Sequence, residues 1–92
     1  RMKMDIEKIF PNIELPAVIT DTKGNCLKIN NPFWNLTHYD KKTKGKSLIF
    51  DFLPPKDMKK ATKTQPQITF KVFPTKLLLQ GGEYIPVDCT VI

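Results

Sequence analysis

Two turn signals, one near each end of the chain, set what it can fold into. Thr22-Lys23-Gly24-Asn25 is turn chemistry between Leu15–Asp21, a run rich in β-branched residues, and Cys26-Leu27-Lys28-Ile29. Gly81-Gly82 plays the same part between Leu77-Leu78-Leu79 and the run from Tyr84 to Ile92. Between the hairpins stand only short helix signals. The order is two strands, several short helices, then at least two strands. That order predicts an α+β fold, an antiparallel sheet with short helices packed on one face.

The segments between fit the scheme. Asp5 can cap a short helix whose apolar face is Ile6, Ile9, Phe10 and Ile13, and Pro11 should end it near Phe10. Asn30-Asn31-Pro32 opens a second helix, continued by Phe33, Leu36 and Thr37. Local capping rules accept Asn30 or Asn31 as the cap. Polar residues Asp40 to Lys46 separate that helix from Ser47–Leu53, a short apolar element closed by Pro54-Pro55. Lys56–Lys63 reads as a further helix with Asp57 near its start. Ile68–Phe73 and Leu77–Leu79 read as strand pieces broken at Pro74, which suggests an edge strand or a bulge.

Composition narrows the functional classes. A chain of 92 residues allows one domain, and its 40% hydrophobic content argues against disorder. No apolar run reaches the ~18 residues a membrane span needs, and the N-terminus shows no signal peptide. Cys26 and Cys89 lack metal-site spacing and read as buried thiols of a reducing cytoplasm. The net charge is +6, yet every basic residue but Arg1 is a lysine. Groove readers depend on the planar arginine fork, so the lysines at 41, 42, 44 and 46 and at 56, 59, 60 and 63 read as solvated faces, and nucleic acid is not an expected partner. One histidine, His38, and no paired carboxylates leave no acid–base pair to assign, so no enzyme activity and no metal site are expected.

Four local signatures then stand in the order found in PAS sensory domains. Leu15–Asp21 with Lys23-Gly24-Asn25 resembles the family's opening strand and its Asp-x-x-Gly turn. Ile29-Asn30-Asn31-Pro32-Phe33 through Leu36, Thr37 and Tyr39 resembles its Asn-x-x-Phe helix, and this alignment selects Asn30 as the structural cap. Gly45-Lys46-Ser47-Leu48 with Asp51-Phe52-Leu53 and Pro55-Lys56-Asp57 is similar to the stretch ending in Pro-x-Asp. Gly82-Glu83-Tyr84-Ile85-Pro86-Val87 resembles the turn between the two long strands. His38 stands where the family often has Gly, and Trp34 where it often has a polar residue.

The resemblance implies a flanking helix over residues 1–14 and a PAS domain over residues 15–92 that stops short of the fifth, central strand. The edges of Ala17–Asp21 and Tyr84–Ile92 should then be compensated, by direct pairing or by a strand from a second chain; a separate strand over Lys76–Gln80 is the third possibility. It also implies a signal-sensing or signal-relay module of a larger cytoplasmic signalling protein, such as a sensor kinase of a two-component system, a cyclic-dinucleotide enzyme or a transcription regulator. The expected partners are a second copy in a homodimer and a covalently attached output domain, with no direct membrane contact. The alternative is a pure protein–protein interaction module. A ligand pocket would be lined by Val18, Ile19, Phe33, Leu36, Phe50, Phe52, Met58 and Phe70. Haem is not expected, because the last helix carries no His; nor is flavin, because Cys26 sits in the first hairpin and not on the helix after the pocket.

Overall fold

The computed structural model of the chain describes residue 8, residues 10–57 and residues 71–91, and for residues 71–73 and 91 the backbone alone. The expectations for Asp5, Ile6, Ile9, Met58 and Phe70, for the helix beyond Asp57 and for a strand before Lys71 fall outside these residues. The chain divides into two compact units, Arg1–Ser47 and Leu48–Ile92.

In the first unit, a 3-10 turn over Phe10–Asn12 is closed by Ile13 N–H donating to Phe10 O at 3.1 Å. Helical structure thus passes through Pro11 and does not stop at Phe10. Proline is tolerated there because an N–H in a first turn has no intrahelical acceptor to lose. Strand β1 (Val18–Thr20) pairs antiparallel with β2 (Cys26–Ile29), Val18 opposite Ile29 and Thr20 opposite Cys26. A register shift between Ile19 and Thr20 leaves Leu27 as the extra residue of a bulge, and its side chain is exposed. The predicted strand over Leu15–Asp21 is therefore only half strand: Leu15 to Ala17 run outside the ladder, for a reason given below.

The turn between β1 and β2 is built on Asp21. Its Oδ1 accepts from the N–H groups of Lys23 and Asn25, both at 2.9 Å, and its Oδ2 from Asn25 Nδ2 at 2.8 Å. Those bonds, Asn25's first, hold its carboxyl below the ordinary 3.8.

Helix α1 (Asn31–Thr37) follows, and its end carries the one non-glycine residue with positive φ among the described residues: His38, at φ 65° and ψ 15°. The left-handed turn lets His38 N–H donate to Trp34 O at 2.9 Å, closing the last turn. The segment from Asp40 to Lys46, expected to be a polar connector, contains helix α2 (Lys41–Lys44). Asp40 Oδ1 caps it by accepting from Lys42 N–H at 2.9 Å. Gly45 ends it where a Cβ would lie 2.7 Å from Lys41 O, which is too close for any side chain.

In the second unit, a 3-10 turn over Ile49–Asp51 has Asp51 Oδ2 reaching back to accept from Leu48 N–H at 3.1 Å. Residues 55–57 are helical, where a helix from Lys56 was predicted. Strands β3 (Lys71–Leu78) and β4 (Tyr84–Val91) then pair antiparallel without a break, from Lys71 opposite Val91 to Leu78 opposite Tyr84. Pro74 neither bulges nor interrupts β3. The loop explains why. Gly82 N–H donates to Leu79 O at 3.0 Å and Leu79 N–H to Glu83 O at 2.8 Å, with Gly82 at φ 90°. This is a tight turn followed by a left-handed glycine. Since bonded pairs alternate along an antiparallel ladder, odd-numbered residues of β3 and β4 face each other and even-numbered ones point their N–H groups outward. Leu78 N–H indeed leaves the ladder, for Phe52 O at 2.8 Å. Pro74 and Pro86 both fall on outward positions, where no ladder donor is lost.

The sheet order is β1-β2 and, separately, β3-β4. Lys76 to Leu78 belong to β3, so Lys76–Gln80 is no separate strand and that one of the three expected resolutions of the sheet edge is excluded. The α+β class with antiparallel pairing stands.

Two expectations follow from these geometries. Replacing His38 by Gly removes the steric cost of a Cβ at positive φ and should raise stability by about 1 kcal/mol, read as a higher urea midpoint. Asp21 titrates lower folded than unfolded, so the turn's contribution is present above about pH 4 and is lost as pH falls through Asp21's folded value. The Asp21→Asn variant should therefore show a flatter acid limb below about pH 4 in urea titrations than the unsubstituted chain.

Candidate functional site

The most connected side chain among the described residues is Asn30. It sits between β2 and α1, and it is 9% exposed. Its backbone is extended, at φ −88° and ψ 167°, as a cap requires. Oδ1 accepts from Phe33 N–H at 3.1 Å, so of the two registers the helix uses Asn30. The same oxygen accepts from Ala17 N–H at 2.9 Å. Nδ2 donates to Leu15 O at 2.8 Å and, at a longer 3.4 Å, to Ile13 O. The main chain adds Asn30 N–H to Ala17 O at 3.1 Å. Here is the reason Leu15 to Ala17 leave the strand. Pro16 has no N–H, and the polar groups on either side of it bond to a side chain instead of a ladder.

The predicted pocket residues divide between the units. In the first, Phe33 is buried, Val18 and Ile19 are half-buried, and Leu36 is 37% exposed. Leu36 was expected to line a core, and it does not. At ~100° per residue the buried positions 30, 33 and 37 form one stripe of α1, with Leu36 on its far edge. Thr37 takes the place expected for Leu36, at 0% exposure, its Oγ1 donating to Phe33 O at 2.9 Å. Trp34 is half-buried, its ring 5.9 Å from that of Phe33 and nearly perpendicular to it. Phe10 and Cys26 are also buried in this unit.

In the second unit Phe52 is buried to 1% and Phe50 only half, while Ile49, Leu53 and Leu77 are also buried. Thr75 is buried too and donates to Asp57 Oδ2 at 2.7 Å. That bond ties β3 to the helical turn at 55–57. Cys89 is half-buried, and desolvation pushes its thiol pKa up, away from reactivity.

Thr37 and Thr75 were missed by sequence reasoning, as was the wider role of Asn30. For Thr37 a signal existed: it stands four residues after Phe33, on the same helical stripe. Among the described residues no buried side-chain nitrogen or oxygen lacks a partner, no group of three His, Cys, Asp or Glu could hold a metal, and no helix is long and apolar enough to cross a membrane. Lys41, Lys42, Lys46 and Lys56 are exposed, and Lys44 lies 5.4 Å from the centre of the Tyr39 ring.

A solved structure described as the PAS domain of an HTR-like protein from Haloarcula marismortui superposes on this chain with a TM-score of 0.74, covering 92% of this chain and 77% of that one. The fold is that of a PAS domain. Sequence identity between the two is 17%, so the PAS likeness rests on backbone course more than on residues. No protein-family model matches the sequence, and no curated protein matches it. Within this PAS fold the Asn-x-x-Phe signature is Asn30 to Phe33, joined by the capping bond itself.

Replacing Asn30 by Ala removes the cap and leaves Ala17 N–H without its acceptor. The cost should be about 3 kcal/mol, beyond the ~1 kcal/mol of a cap alone. Chemical denaturation checks this, and a loss near 1 kcal/mol would mean that the bonds to Leu15 and Ala17 add nothing.

Proposed function

We propose that this chain is a signal-sensing or signal-relay module of a larger signalling protein, working in the cytoplasm as a homodimer beside a covalently attached output domain, and that it is not itself an enzyme. The observation that carries the proposal is the PAS fold, a scaffold suited to passing packing changes between a sheet, its helices and flanking segments. Dimerisation has a place to occur. The outward edge of β4 offers the N–H groups of Tyr84, Asp88 and Thr90, which have no partner among the described residues, and a strand from a second chain could add there.

What the module senses would be a small apolar or amphipathic molecule, and not a metal, haem or flavin. A second reading is favoured by one observation. Every buried polar side-chain atom described is already satisfied, which suits an interaction module that takes no ligand at all.

Native mass spectrometry of the gently purified chain separates the readings and tests the dimer together. The proposal expects a dimer peak carrying a releasable small molecule. A dimer of bare chain mass would favour the interaction module, and a monomer at every concentration tried would contradict the proposed assembly.

A further inference from the structure

The bonds that hold the entry segment Ile13–Ala17 are concentrated in one carboxamide. Among the described residues, the long-range hydrogen bonds of Ile13, Leu15 and Ala17 all run to Asn30: three to its side chain and one to its main chain. Pro16 offers no donor. Leu15 is 75% exposed, so apolar burial contributes little at that point. The same Oδ1 that receives Ala17 N–H also receives Phe33 N–H and so caps the start of α1. One amide group therefore performs two separable tasks. Its oxygen serves the helix and Ala17, and its nitrogen serves the carbonyls of Leu15 and Ile13.

We infer that Ile13–Ala17 is a releasable strap and that Asn30 Nδ2 is its latch, so that the approach to β1 can lift while α1 stays capped. The physical basis is the division of labour within the carboxamide. Breaking the donor side frees two carbonyls, at Leu15 and Ile13, in a segment next to solvent, where water can replace the lost partner. Breaking the acceptor side would uncap α1. Opening is therefore graded: the strap yields first. The inference stands on this geometry and does not rest on the proposed function.

Asn30→Asp tests it in the whole chain. The carboxylate keeps an acceptor for Phe33 and Ala17 but sets a second acceptor against Leu15 O where the donor was. Glu14 is exposed within the strap, and Glu83 lies exposed in the β3–β4 turn. A glutamate-specific protease therefore reports on the strap at Glu14 and on a control in the second unit at Glu83. At neutral pH the variant should be cut after Glu14 on the order of tenfold faster, with cleavage after Glu83 unchanged and the Phe33 and Trp34 amides still protected from exchange. Lowering the pH to about 4 protonates the carboxyl, restores a donor and should slow cleavage after Glu14 relative to Glu83. An unchanged rate after Glu14 would overturn the latch. So would a joint rise at both sites with loss of Phe33 protection, because strap and helix would then open as one.

Discussion

The hydrogen bonds of Asn30 are the constraint on which the first unit depends. A backbone that leaves a β ladder must find other partners for its N–H and C=O groups, or leave them to water. The chain before β1 cannot extend the ladder, because Pro16 interrupts the donors, so its groups converge on the side chain of Asn30. That choice costs little, since an Asn at this position is wanted in any case to cap the start of α1. A single buried amide thereby fixes where the chain enters the sheet and where the helix begins. Phe33 and Thr37, one and two turns further on, carry the same stripe into the core.

The second unit rests on a different rule, the alternation of an antiparallel ladder. With the turn closed between Leu79 and Glu83, parity assigns every later residue an inward or outward N–H. Both prolines fall on the outward set, and so a strand that contains Pro74 and a partner that contains Pro86 form an unbroken hairpin. Side chains obey the same parity. Thr75 and Leu77 are buried, with Ile85, Val87 and Cys89 half-buried on their face, while Pro74, Lys76, Tyr84, Pro86, Asp88 and Thr90 are exposed. Leu78, the outward residue nearest the turn, finds Phe52 O, and Thr75 finds Asp57, so β3 is tied to the segment before it at two points.

What was legible in the sequence was local chemistry. Turns at Thr22–Asn25 and Gly81-Gly82 and a cap at Asn30 or Asn31 depend on residues within a few positions of one another, and the resemblance to PAS domains chose Asn30 between the two. Pro74 was read as a break because its meaning depends on register, although counting back from Gly81-Gly82 would have placed it and Pro86 on the outward positions. Helix α2 was hidden because Asp40–Lys46 has no apolar period, only a capping Asp and a terminal Gly. Leu36 was assigned to the core by residue type, when the stripe set by Asn30, Phe33 and Thr37 passes it by. The bonds from Asn30 to Ile13, Leu15 and Ala17 span 13 to 17 positions, and no spacing rule announces them.

The central claim is that the Asn30 carboxamide joins the entry segment to α1, and NMR of its side-chain NH₂ group tests that claim directly. Slow exchange of the Nδ2 protons, with cross-relaxation to both Leu15 and Phe33, is the result the account predicts. Nδ2 protons that exchange at the rate of a free asparagine and show contacts to α1 alone would contradict it, because Asn30 would then be a helix cap and nothing more.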